Sequence, residues 1–95
     1  MVKHVVMWDI QENVTIEDLE RLKSRIEEIG REIPEVVSLV YNINPYPSSS
    51  ARVTLESIHN SYEDLQTYIN HPLHKEFGYT NRMYVTNRKS FDYEY

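Results

Sequence analysis

The residues best able to move a proton are His71 and His74 in Asn70-His71-Pro72-Leu73-His74, together with His4 near the N-terminus. An imidazole titrates near neutral pH, so modest environmental shifts make it a base or an acid. The residue before a proline avoids helical backbone, and proline suits the first position of a helix. A helix restarting at Pro72 places His74 at its third position, near the positive end of the helix dipole. Imidazolium is disfavoured there, which leaves the neutral form that a general base needs, although a histidine so placed also serves as a local structural bond. His71, at the N-cap, is suited to accept a backbone N–H, a structural role. Tyr68 shares a helical stripe with Leu65 and Ile69. A phenol on that stripe either fills the core or donates to a substrate carbonyl as an enolate forms. His4 shares strand parity with Val6 and Trp8, an apolar face on which a lone histidine is more often a satisfied core residue.

Other chemistries are excluded. Cysteine is absent, which removes thiol catalysis and disulfides. With only Gly30 and Gly78, the chain has no glycine-rich phosphate loop. No dinucleotide, phosphate or haem motif is visible, so no cofactor is expected. His71 and His74 are three apart, but no nearby carboxylate completes a metal set, and no metal is expected. Lys plus Arg is 10 and Asp plus Glu is 15, so the formal charge is 10 − 15 = −5. That balance argues against nucleic-acid partners and against a polybasic membrane-surface protein. No apolar run approaches the roughly 20 residues of a membrane span. The start, Met1 to Val6, lacks the long apolar stretch of a secretory signal, and a cytoplasmic location is expected.

The elements that must position these residues follow from periodicity. Val2 to Trp8 reads as a strand, with Val5 and Met7 opposite the His4 face and both faces apolar. Thr15 and Asp18 form a capping box. Leu19, Leu22, Ile26, Ile29 and Ile33 then make one helical stripe that Pro34 ends. Val36 to Ile43 and Arg52 to Ile58 read as strands, separated by the proline- and serine-rich loop Asn44–Ser50. Ser61 and Asp64 suggest a second capping box, and Gly78 is a candidate to close the short helix begun at Pro72. Met83 to Tyr93 reads as the last strand.

The order β-α-β-β-α-β is the ferredoxin-like pattern, an α+β fold with a four-stranded antiparallel sheet and both helices on one face. All 95 residues make a single domain. Three strands carry apolar residues on both faces, so the uncovered sheet face needs a partner. A second copy of the chain is the simplest one.

The segments Met1-Val2-Lys3-His4-Val5-Val6, Ser61 through His74, and Arg88 with Phe91-Asp92-Tyr93 resemble the stress-responsive A/B barrel domain (Dabb) family. The resemblance implies a homodimer whose sheets face each other as a dimeric α/β barrel, with no single reaction attached. One plant branch of the family contains cofactor-independent polyketide cyclases, which close a linear poly-β-ketone by intramolecular aldol condensation. Carried over residue by residue, the resemblance implies His74 as base, Tyr68 as carbonyl donor and His4 as support. His71, Trp8, Val53, Phe77 and Val85 are the candidates to contact a ligand. The chain departs from the cyclase branch at Val53, where that branch carries histidine. It departs again at Val85 and Arg88, where that branch carries bulky apolar residues. The expected function is a homodimeric stress-responsive protein binding a small apolar or carbonyl-containing molecule between sheet and helices. The alternative is a cyclase-like enzyme.

Overall fold

A computed structural model describes residues 1–95. The elements are β1 (Val2–Ile10), α1 (Ile16–Glu32), β2 (Ser38–Asn42), β3 (Val53–His59), α2 (Tyr62–Asn70), α3 (Pro72–Asn81) and β4 (Val85–Glu94). The strands form one antiparallel sheet in the order β2-β3-β1-β4. Both central strands, β1 and β3, turn every second side chain toward the helices. Val2, His4, Val6 and Trp8 are buried, as are Val53, Leu55, Ser57 and His59.

Helix α1 begins as its sequence dictates. The Thr15 hydroxyl accepts from the Asp18 N–H, and the Asp18 carboxylate accepts from the Thr15 N–H. Its stripe of Leu19, Leu22, Ile26 and Ile29, continued by Ile33, lies against the sheet. Gly30 marks the closest approach. A Cβ there would stand 3.1 Å from Leu39 Cβ on β2.

Several boundaries differ from the sequence reading. Val36 and Val37 precede β2 rather than belong to it: the Val36 N–H closes the Pro34-Glu35 turn onto Ile33 O, and the Val37 N–H bonds Ile58 O. The Ser61 hydroxyl caps α2 by accepting from Asp64 N–H, without the return bond of a full capping box. α3 runs through Gly78 to Asn81, because Gly78 keeps helical backbone and the chain turns only at Arg82, Met83 and Tyr84. Those turn bonds also delay β4 to Val85.

β1 and β4 share a bulge. Met7 pairs with Lys89 but Asp9 pairs with Thr86. The extra residue is Asn87, whose φ of 53° lies in the left-handed region that asparagine tolerates. Its side-chain amide donates to Asp9 at 3.0 Å. The bulge lets Val85 and Arg88, three residues apart, both face the helix side.

Replacing Gly30 by valine should test the α1–β2 approach. Overpacking of this kind costs about 1–3 kcal/mol. Denaturant unfolding of Gly30→Val should show that loss, with the midpoint lowered and the slope unchanged.

Candidate functional site

β1 and α3 face each other across a cavity of about 220 Å3. On the sheet side it is lined by His4, Val6 and Trp8 of β1, Leu55 of β3 and Arg88 of β4. On the helix side the lining is His74, Phe77, Gly78, Asn81 and Arg82. Those five positions follow the i, i+3, i+4, i+7, i+8 spacing of a single helix face. Gly78 stands over open space, with nothing within 4 Å of a built Cβ.

The break between α2 and α3 positions His74. His71 is at once the C-cap of α2 and the N-cap of α3. Its Nδ1 accepts from Leu73 N–H at 3.1 Å, while its own N–H bonds Tyr68 O. His71 therefore shapes the turn and does not line the cavity. Pro72 restarts the helix and carries His74 over the end of α2, where Nδ1 sits 3.0 Å from Ile69 O. A carbonyl only accepts, so Nδ1 bears the hydrogen and Nε2 keeps its lone pair.

Burial, as the first cause, pushes the His74 pKa down from 6.5 to about 4. The bond to the Ile69 carbonyl opposes this, and the charges of His4, Arg88 and His71 add to it. The expected neutral imidazole is thus present, but desolvation exceeds the effect assigned to the helix end.

His4 is held from the edge strand. The register sets it opposite Asp92, and Nδ1 lies 2.5 Å from the Asp92 carboxylate. That acceptor fixes the hydrogen on Nδ1 and leaves Nε2 for the cavity.

Tyr68 lies behind the cavity rather than in its lining. Its ring is fully buried, with centroids 4.5 Å from His74, 5.0 Å from His59 and 6.4 Å from His4. Its hydroxyl is sealed from solvent and has no hydrogen-bond partner. Burial raises its pKa, and the nearby Ser57 hydroxyl offsets this in part without normal bonding geometry. Ser57 is itself engaged. The Glu35 carbonyl, 2.8 Å from His59 Nδ1, places the hydrogen there, so His59 Nε2 accepts from Ser57 Oγ at 2.8 Å.

Of the remaining candidates, Trp8 and Phe77 line the cavity, and Val53 and Val85 are buried in the core without reaching it. Sequence reasoning missed Asn81, Arg82, Asp92, Ser57 and His59 as site residues, and reached Arg88 only through the family resemblance. Continuing the Val53, Leu55 parity by four residues would have found Ser57 and His59. Extending α3 beyond Gly78 would have found Asn81 and Arg82. Asp92 and Arg88 depend on register and bulge, which no periodicity reveals. No cluster of three or more His, Cys, Asp or Glu side chains has a metal-binding arrangement. No helix is long and apolar enough to cross a membrane.

An antiparallel ferredoxin-like sheet with its helices on one side and a histidine-lined cavity between the layers defines a class of small α+β domains. Within that class the chain belongs to the stress responsive A/B barrel domain family, Dabb, whose model matches residues 2–95. No curated protein matches the sequence significantly. Among solved structures, the Arabidopsis thaliana protein At3g17210 is 22% identical with a TM-score of 0.88, covering 100% of this chain and 95% of that one. A dimeric protein of unknown function from Bacteroides fragilis is 22% identical with a TM-score of 0.80, covering 99% and 95%. SnoaB, a cofactor-independent oxygenase from Streptomyces nogalater, is 10% identical with a TM-score of 0.80, covering 99% and 91%. At these identities the likenesses show a shared fold.

The lowered His74 pKa makes stability pH-dependent. The unfolded chain takes up a proton near pH 6.5, whereas folded His74 resists it down to about pH 4. The contribution is whole above pH 6.5 and is lost as pH falls from there toward 4. It amounts to roughly 2–3 kcal/mol once partial exposure is allowed for. Thermal unfolding between pH 7.5 and pH 4.5 should show the slope, and His74→Gln should reduce it, leaving the share of His59, whose pKa burial also lowers.

Proposed function

We propose that the chain works as a homodimer that binds a small carbonyl compound in the His4–His74 cavity and moves a proton beside that carbonyl without a cofactor. The observation that carries this reading is His74: its proton is tied to the Ile69 carbonyl, its Nε2 lone pair is free, and it stays neutral at physiological pH. A neutral imidazole so fixed is a general base with no competing tautomer. It takes a proton from the carbon next to the ligand carbonyl, which becomes an enolate, and returns it or passes it on.

His4, oriented by Asp92, presents the second Nε2 to the same cavity. Tyr68 touches the His74 and His4 rings rather than the ligand. It is a positioning residue, which departs from the donor role implied by the family resemblance. An aldol ring closure begins with the same proton abstraction, so the cyclase-like reading is one outcome of this chemistry.

The dimer rests on the sheet face opposite the helices. Met7, Val40, Phe91 and Tyr93 are exposed there, and Val5 and Ile58 are half-buried. The Phe91, Tyr93 and Tyr95 rings run along β4 with centroids 5.8 and 5.9 Å apart. An apolar aromatic face on so small a domain favours burial against a second copy. The similar Bacteroides fragilis protein is described as dimeric.

Sedimentation at micromolar concentration should therefore give about twice the chain mass of 11.4 kDa. A folded monomer would remove the dimer from the proposal.

The chemistry is tested with phenylacetone in D2O, following loss of its Cα–H signals by NMR. The protein should accelerate exchange over buffer, and His74→Ala should remove most of that gain, on the order of 10²-fold or more. Gly78→Val should fill the cavity and suppress exchange while keeping the fold. Tyr68→Phe should retain exchange and gain up to about 1 kcal/mol of stability, since the unpartnered hydroxyl is deleted. Exchange no faster than in buffer, or indifferent to His74→Ala, overturns the acid/base reading.

A further inference from the structure

The cavity is polar at both ends. His4 and His74 stand at one end, against Tyr68. Trp8, four residues along β1, stands at the other, and the strand rise separates the two ends by about 13 Å. α3 runs alongside. Arg82 lies two helical turns beyond His74, roughly 12 Å along the axis. Its carbonyl accepts from Gln11 just past β1, which ties it to the Trp8 end. Arg88 reaches the same end from β4, because the Asn87 bulge leaves it opposite Trp8.

Neither arginine has a carboxylate partner, while Arg21 and Arg25 on the outer face of α1 both do. Two nearby acids are already bonded, Asp92 to His4 and Asp9 to Asn87. Arg82 is braced, with Nε–H donating to Gly78 O at 3.2 Å and the guanidinium 4.9 Å from the Tyr79 ring. This leaves its terminal nitrogens as donors.

Asn81 adds a neutral donor. Its Oδ1 accepts from the buried Tyr41 hydroxyl at 2.9 Å, which leaves Nδ2 unpaired at the cavity wall. Two unpaired guanidinium groups and a free amide N–H thus share one end of a cavity without a carboxylate in its wall, in a chain of net charge −5. Planar guanidinium groups match the two oxygens of a carboxylate.

We propose that Arg82 and Arg88, with Asn81 Nδ2, form a carboxylate clamp, so that the ligand is an oxo acid whose acid group lies at the Trp8 end and whose carbonyl lies at the histidines. The clamp narrows the ligand class of the proposed function and rests on that reading only for the carbonyl end. Between the two ends Val6, Leu55 and Phe77 supply an apolar wall for a hydrocarbon or aromatic spacer. Arg88 also bears on the base directly, since its charge is one of those that hold the His74 pKa down. A bound carboxylate neutralises that charge.

The test compares phenylacetone with 4-(2-oxopropyl)benzoate, the same ketone bearing a carboxylate, and with 4-ethylbenzoate, which has the acid and no ketone. Dissociation constants come from NMR titration of the intact protein. Charged hydrogen bonds of this kind give a preference of roughly tenfold or more for the acids. Arg88→Gln and Arg82→Gln should each cut the ratio of acid to neutral affinity severalfold. The double variant should abolish it, and Arg88→Lys should keep only part of it, since an ammonium supplies the charge without the planar two-point match.

An acid preference that the glutamine variants erase supports the clamp, whether or not Cα–H exchange occurs; exchange that fails alongside it sinks the acid/base reading alone. Equal affinity for acid and neutral probe overturns the clamp even where exchange is intact. Absence of binding by all three overturns both.

Discussion

The inner end of the cavity is built against one buried ring. Tyr68 is fully enclosed, and the imidazoles of His4, His59 and His74 pack around it from β1, β3 and α3. Aromatic side chains bury large areas in defined geometries, so a single ring can set the distance between three elements. The cost is a buried hydroxyl with no hydrogen-bond partner. The α2–α3 break, set locally by His71 and Pro72, serves the same packing. Only by stopping at His71 and restarting at Pro72 does the chain lay His74 back onto the ring from the helix that follows.

The imidazoles are set chemically as well as spatially. Each of His59 and His74 gives its Nδ1 hydrogen to a backbone carbonyl, an acceptor that cannot change its protonation. His4 gives its own to a carboxylate instead. The neutral state of His74 follows chiefly from loss of solvent around the ring. The opposite end of the cavity is set by different means, a β-bulge and a helix terminus, and carries fixed positive charge. A cavity with the His74 lone pair at one end and guanidinium groups at the other imposes a direction on whatever enters it.

The two faces of the sheet divide the work. The helix-covered face holds the core and the cavity, while the open face presents Met7, Val40, Phe91 and Tyr93. A chain of 95 residues buries only about 60–65% of its unfolded surface on folding, so apolar side chains on a second face are a cost unless something covers them. The cavity, by contrast, lies between the sheet and α3 on the helix-covered side, away from that open face.

Periodicity by itself determined the core and the order of the elements. The α1 stripe, the inward set of β1 and the cap at Thr15 depend on spacings of two, three and four residues, and the structure keeps all of them. His4, Tyr68 and His74 were also legible, because strand parity, helix phase and the His71-Pro72 restart are local properties. What only the tertiary structure decided is nonlocal. The pairing of β1 with β4 set Asp92 beside His4, and one residue of slippage there would have turned the carboxylate to the other face. The bulge at Asn87 brought Arg88 to the cavity. The course of α3 through Gly78 was decided by a glycine that, facing open space, stays helical where its type suggests a stop. That the Tyr68 hydroxyl is walled off, and the His74 base is neutral mainly through burial, follows from packing between distant segments. Hydrophobic spacing has a period and is written locally, whereas register and desolvation exist only once separate segments meet.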